Sequence, residues 1–137
     1  MIDKFIESQV INTTIPPSQY SPLVLAYIGD AVYELYIRNM LIQKGNVPVH
    51  KLHQQATQYV KAKAQSESLH IIESHLTEEE LAVFKRGRNA KSATVPKNAD
   101  MNEYRHATGF EALIGFLYLS GENERLRYLL ELAVTRE

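Results

Sequence analysis

The chain has no cysteine among its 137 residues. Disulfides, thiolate zinc sites and cysteine nucleophiles are therefore excluded. It has almost no net charge, −1 at pH 7. Binding of nucleic acid by bulk charge is thus excluded, and any such binding must come from local clustering. It lacks an apolar run of membrane-spanning length. Its first residues, Met1-Ile2-Asp3-Lys4-Phe5-Ile6-Glu7, lack the basic start and apolar stretch of a secretory signal. These absences fit a cytoplasmic protein. No strand pattern and no internal repeat is evident. Hydrophobic residues make up 45% and charged residues 23%, an ordinary globular mixture that can build one domain with a real core.

What is present is helical periodicity. Residues up to Tyr20, with Pro16-Pro17, predict a short helix and an extended lead-in. Ser21-Pro22 is a helix start, because Ser can cap free N–H groups and Pro suits the first turn. Val24, Ile28, Ala31, Val32, Leu35 and Ile42 then recur at helical spacing, and the helix should stop near Gly45. Val49, Leu52, Ala56, Tyr59 and Val60 mark a second helix. Ser66 is expected to cap a short third one through Leu69, Ile71 and Ile72. Thr77-Glu78-Glu79-Glu80 reads as a capping box for a helix carrying Leu81, Val83 and Phe84. The segment to Asn98 is a loop by composition. Asp100 followed by Glu103 caps the next helix, which ends near Gly121. A last helix presents Leu126, Leu129, Leu130, Ala133 and Val134 on one side. The class is all-α with short connections, which favours packed neighbouring helices.

Two lone acids stand out. One is Asp30, in Leu23-Val24-Leu25-Ala26-Tyr27-Ile28-Gly29-Asp30-Ala31-Val32. The other is Glu111, in Phe110-Glu111-Ala112-Leu113-Ile114-Gly115-Phe116-Leu117-Tyr118-Leu119. A charge in such company is expensive to bury unless something compensates it. Asp30 taken alone could be a solvent-facing residue in a stripe with Glu34 and Arg38, the latter two able to pair. Glu111 taken alone could be a buried acid paired with an Arg or Tyr of another helix. Together they make a divalent-cation site the sharper reading. Magnesium prefers oxygen ligands and often uses only one or two protein carboxylates. Such a centre can hydrolyse phosphodiesters. A glycine inside a helix costs about 1 kcal/mol relative to alanine. Close helix packing could explain Gly29, Gly109 and Gly115. At Gly29 and Gly109, beside the acids, room for a metal or a phosphate is the preferred reading.

Other candidates are weaker. His50 and His53 have chelating spacing but no third ligand. His70, His75 and His106 read as surface or core histidines, with His106 next to Arg105 a candidate RNA contact. Lys85, Arg86, Arg88, Lys91, Lys97 and Arg105 form a basic cluster opposed only by Asp100 and Glu103. It leads directly into the helix carrying Glu111. Lys and Arg contacts to a nucleic-acid backbone position it without reading sequence, and A-form RNA is recognised mainly by shape.

Tyr27-Ile28-Gly29-Asp30-Ala31-Val32 resembles the signature helix of ribonuclease III nuclease domains. Phe110-Glu111-Ala112-Leu113-Ile114-Gly115, followed by Leu117-Tyr118-Leu119, resembles their second acidic motif. The resemblance covers Ser21 to Val134 and implies the helical fold of a ribonuclease III endonuclease domain. One such domain, 1–137 with 1–20 as lead-in, is expected, with no length left for a double-stranded-RNA-binding domain. The short length is similar to bacterial Mini-ribonuclease III, as are Arg86-Gly87-Arg88-Asn89-Ala90-Lys91-Ser92 and the run from Glu103 to Glu111.

The resemblance implies a homodimeric, magnesium-dependent endonuclease acting on double-stranded RNA, with manganese a candidate substitute. It also implies maturation of the 23S ribosomal RNA precursor, with ribosomal proteins as candidate assistants. Full-size enzymes place a Glu one turn before the signature Asp, where Ala26 stands. They place an Asp three residues before the second Glu, where Thr108 stands. Glu103 is a poor substitute, since eight helical residues set it about 12 Å along the axis from Glu111. Ala26 and Thr108 favour the alternative, a non-catalytic RNA-binding or ribosome-associated module.

Overall fold

Ser21 and Pro22 open the first long helix, as their chemistry predicts. In the computed structural model, which describes residues 15–91 and 95–135, helix α1 spans Pro22–Lys44. The Ser21 hydroxyl accepts the Val24 N–H at 3.3 Å. Gly45 closes the helix in extended backbone. Helix α2 spans Val49–Val60 and α3 spans Ala62–Ile72. Between them only Lys61 leaves helical geometry. Helix α4 spans Glu78–Asn89, α5 spans Met101–Leu119 and α6 spans Asn123–Ala133. Single 3-10 turns lie at Pro17–Gln19 and Glu73–His75. The described residues contain no strand, so the class is all-α. None of their helices is long and apolar enough to cross a membrane. The short helix expected ahead of Tyr20 lies partly in residues 1–14, outside the described residues, as do Ser92 and Thr94 of the loop.

The caps that fix these helices are mostly the expected ones. At α4 the Thr77 hydroxyl accepts the Glu80 N–H at 3.1 Å, and Glu80 Oε1 accepts the Thr77 N–H at 2.9 Å. At α5 the Asp100 Oδ1 accepts the Glu103 N–H at 3.0 Å. Gly121, with φ +72°, supplies the left-handed turn between α5 and α6. Ser66 departs from expectation. It lies inside α3, buried, and Lys61 stands at the N-cap without a side-chain hydrogen bond. Helix α3 begins one turn earlier than a serine cap would allow.

Helix α5 is the centre of the fold, packing against α1, α3, α4 and α6. Its buried residues run round the whole helix from Ala107 to Leu117. A helix apolar on all sides is a core helix. Phe110 is fully buried and meets the edge of Tyr33 of α1 at a ring separation of 5.1 Å. The face of α1 that enters the core carries Leu25, Ala26, Gly29, Tyr33, Ile37 and Leu41. The stripe that the apolar spacing picks out is largely the opposite one. Val24, Leu35 and Ile42 are exposed, and Tyr27 beside them is 83% exposed. Helix α1 is apolar on two sides, so its periodicity cannot say which side is the core.

Glycines set how closely α1 and α5 approach. A Cβ at Gly29 would land on the backbone carbonyl of Glu111, and one at Gly115 on the carbonyl of Leu25. On the other side of α5, a Cβ at Gly109 would meet the Phe84 ring at 2.6 Å, and one at Gly87 the Ala112 Cβ at 2.8 Å. The expectation that Gly29 and Gly109 leave room for a ligand is therefore overturned. Neighbouring helices fill that space. Since a backbone atom cannot swing aside as a side chain can, Gly29→Ala should cost about 3 kcal/mol, at the upper end of overpacking. Thermal melting followed by circular dichroism should show a fall of roughly 10 °C. Gly45→Ala, where the nearest atom is 3.8 Å away, should stay within about 2 °C of the parent.

Candidate active site

The close crossing of α1 and α5 has a direct chemical consequence. Asp30 follows Gly29 on α1, and Glu111 is the residue whose carbonyl rests against Gly29. The two side chains come within hydrogen-bonding reach of each other. Asp30 is exposed at the rim, and Glu111 lies behind it, mostly withdrawn from water. Burial pushes the Glu111 carboxyl up to about 8. The hydrogen bond to Asp30 and its charge add to this, as does the charge of Glu34, while the Gln65 amide opposes it. Without a compensating cation, the pair therefore holds a proton at neutral pH.

Helix α3 supplies the third wall. Gln65 is 2% exposed. Its Nε2 donates to the Val60 carbonyl at 2.9 Å and to Glu111 Oε2 at 3.4 Å. Its Oε1 is buried and has no hydrogen-bond partner among the described residues. The sequence reading missed Gln65. Its signal was faint: it sits among small residues, next to Ala64 and one turn before Leu69, on the face of α3 that is buried.

The carboxylate pair fits a hard divalent cation. Two acids of like charge are held together in a partly buried place, and among the described residues no cationic side chain offsets their repulsion; Glu111 meets Asp30 and Gln65. The described residues contain no cluster of three or more His, Cys, Asp or Glu suited to a metal. That agrees with the chemistry at Ala26 and Thr108. Ala26 is buried in the core, and the Thr108 hydroxyl donates to the Tyr104 carbonyl at 3.0 Å. Glu34, expected in a solvated stripe, lies 3.9 Å from Arg38 and also bears on the site through its charge on Glu111. His50 and His53 are exposed on α2. His106 Nδ1 lies 2.7 Å from the Asn102 carbonyl, and its ring lies beside those of Phe84 and His70.

The basic cluster is not one surface unit. Lys85, Lys91, Lys97 and Arg105 are exposed. Arg88 lies over the Phe84 ring, 5.6 Å from its centroid, and its Nε donates to Asn89 Oδ1 at 3.1 Å. Arg86 is engaged elsewhere. Its two Nη atoms donate to the carbonyls of Ser18 at 3.0 Å and Tyr20 at 3.2 Å. It ties the lead-in to α4. Arg105 precedes Glu111 by six residues, about 9 Å along α5 and roughly 120° round it.

Known proteins resemble this chain along most of its length. The sequence model of the Ribonuclease III domain matches residues 23–122. A Mini-ribonuclease 3 of Thermoanaerobacter sp. strain X514 is 53% identical over 130 residues, covering 95% of this chain and 92% of that one. A Mini-ribonuclease 3 of Clostridium tetani is 55% identical over 117 residues, covering 85% of this chain and 78% of that one. The X-ray crystal structure of a Fusobacterium nucleatum protein superposes with a TM-score of 0.77 at 35% identity, covering 85% of this chain and 93% of that one. A matching domain over the residues that build the carboxylate site, relatives at half identity over nearly the whole chain and a shared fold lead to one conclusion: the chain belongs to the ribonuclease III family, in its Mini-ribonuclease 3 branch, and is an endoribonuclease.

Proposed function

We propose that the chain, working as one catalytic domain over 1–137, cleaves double-stranded RNA with magnesium held by Asp30 and Glu111. The observation that carries this is the meeting of these two carboxylates where α1 crosses α5, with no cationic side chain among the described residues paired to either. Asp30 and Glu111 would hold the cation, which would supply charge stabilisation at the phosphate and a lowered pKa for the attacking water; manganese would meet the same oxygen-ligand requirement. Asp30 at the rim and Glu111 behind it hold the centre from two helices. Cleavage would leave 5′-phosphate and 3′-hydroxyl ends. The relatives named Mini-ribonuclease 3 support a structured RNA substrate, which we assign to the 23S ribosomal RNA precursor in the cytoplasm, with ribosomal proteins as candidate assistants.

A homodimer would give one site per strand. The exposed face of α1 supports it, since Leu23, Val24, Tyr27, Leu35 and Ile42 are 39–83% exposed. An apolar patch of that kind marks an interaction surface. The second reading, a non-catalytic RNA-binding module, is favoured by one feature. Ala26 and Thr108 leave the site with two carboxylates where full-size enzymes have four.

Asp30→Asn and Glu111→Gln separate the two readings. Each removes a charged ligand at nearly constant volume. Cleavage of a long RNA duplex should fall at least about a thousandfold in either variant, in line with loss of a principal charge-stabilising group, and should vanish in chelator. Duplex binding by gel shift should persist. Wild-type protein that binds duplex but does not cut it with magnesium present would establish the module instead.

The proton held by Glu111 gives a stability signature. Unfolded, Glu111 titrates near its ordinary value of 4.5, and folded it titrates near 8. Between these values the folded chain holds a proton that the unfolded chain has released. The contribution of this group to stability therefore falls as pH rises from about 4.5 to 8. In chelator, the melting temperature of the wild type relative to Glu111→Gln should drop across that window. Added magnesium should raise the wild type most at the alkaline end, because a cation displaces the proton. A difference independent of pH would remove the coupled carboxylate pair.

Duplex RNA would be held by phosphate contacts from Lys85, Arg88, Lys91, Lys97 and Arg105. Arg86 is kept out of the test because its guanidinium holds the carbonyls of Ser18 and Tyr20. Replacing Lys85, Lys91 and Lys97 together by Gln should weaken binding to all duplexes alike. The slope of log K against log salt should become shallower by about one unit per lost phosphate contact. Turnover at saturating RNA should survive. An unchanged slope would make these lysines solvated surface.

A further inference from the structure

We infer that Gln65 is a positioning residue of the cation site, its amide bracing Glu111 in the orientation that receives the cation. The inference rests on the proposed reading of Asp30 and Glu111 as the cation's ligands. The geometry is that of a strut. One amide hydrogen is anchored on the Val60 carbonyl at 2.9 Å, in the last turn of α2, and the other reaches Glu111 Oε2 at 3.4 Å. The side chain is 2% exposed, so its position is fixed by packing. The contact to Glu111 is long, as contacts in unliganded catalytic sites often are. It should shorten as the carboxylate takes on full charge beside a cation, since charge-assisted hydrogen bonds are the shorter and stronger ones.

Packing gives glutamine one reason, the Val60 carbonyl that it satisfies at the end of α2, and that bond alone does not call for an amide aimed at Glu111. The Gln65 Oε1 is enclosed without a partner among the described residues. A buried acceptor left unpaired is costly, and an apolar side chain of equal length would avoid that cost. What such a side chain could not do is donate at once to the Val60 carbonyl and to Glu111. The group retained at a cost to stability is the one that touches the acid. Asp30 on α1 has the shorter side chain and stands exposed at the rim. Glu111 has one more torsion to fix, and with Thr108 one turn earlier no second carboxylate of its own helix stands beside it; Glu103 is two turns away.

The test measures cation binding apart from activity. Free Mn2+ is followed by electron paramagnetic resonance without RNA, with Asp30→Asn as the baseline for adventitious binding. Gln65→Met should bind Mn2+ about ten- to a hundredfold more weakly than wild type, the range for loss of a group that orients a metal ligand. Its melting temperature in chelator should stay within about 5 °C of the wild type, because the loss of the Val60 bond is offset by removal of the unpaired Oε1. At saturating Mn2+, its KM for duplex RNA should be unchanged. Mn2+ binding within twofold of wild type would overturn the inference while leaving the Asp30–Glu111 site standing. Wild-type protein with no Mn2+ binding beyond the Asp30→Asn baseline would remove the site, and the strut with it. If Gln65→Met does not fold, the wild type itself decides. The side-chain NH2 signals of Gln65 in a 15N correlation spectrum should shift along the magnesium isotherm, and signals that stay still would defeat the proposal.

Discussion

The close approach of α1 and α5 governs everything else in this molecule. Where Gly29 faces Glu111 and Gly115 faces Leu25, two backbones lie against each other with no side chain between them. A pair of helices usually stands 8–10 Å apart, depending on the side chains at the contact. Glycine at both contact points draws this pair together. Residue 30 and residue 111 are thereby fixed at one place by main chain, which is far stiffer than any side-chain contact. The cost of glycine within a helix is offset by the packing that it permits.

The site follows from that constraint. An acid on each helix at the crossing leaves two carboxylates in reach of each other, one at the rim and one behind it. Their repulsion is relieved by a proton or by a cation. Desolvation raises Glu111 the most, ahead of its neighbour's charge. The burial that makes the charged pair unfavourable on its own also strengthens any cation's hold on it, because the same low dielectric acts on both interactions.

Helix existence was legible in the sequence wherever a cap spoke for itself. Ser21-Pro22, Thr77 with Glu80, and Asp100 with Glu103 each make the hydrogen bonds that their residue types imply. The two acids were legible because charge is rare in an apolar run. The family motifs added the fold. Orientation was harder. Helix α1 has apolar residues on two faces, and periodicity marked the exposed one. Ser66 reads as a cap locally but sits in the interior of α3, where packing prevails over a serine's local preference. Gly29 and Gly109 read as space, and only the neighbouring helices show that the space is filled. Gln65 went unnoticed, and Arg86 read as a member of the basic cluster, for the same reason. Their anchoring partners are the Val60, Ser18 and Tyr20 carbonyls, and a backbone carbonyl has no letter in the sequence.

Glu80 ties distant parts of the chain together. Its carboxylate caps α4 through the Thr77 N–H and also takes two hydrogen bonds of 2.8 Å from Arg125 of α6. Arg125 reaches on to the His75 carbonyl at 2.6 Å. These bonds hold the Glu80 carboxyl below its ordinary range, with the Arg125 contact the leading cause. One side chain thus sits on the boundary between two helices that could otherwise fray independently. Detaching α6 would strand a buried carboxylate and weaken the first turn of α4 together. Terminal helices are commonly the least protected part of a domain. Here the last helix is yoked to the start of α4, so backbone amides in both should exchange with solvent as one cooperative block.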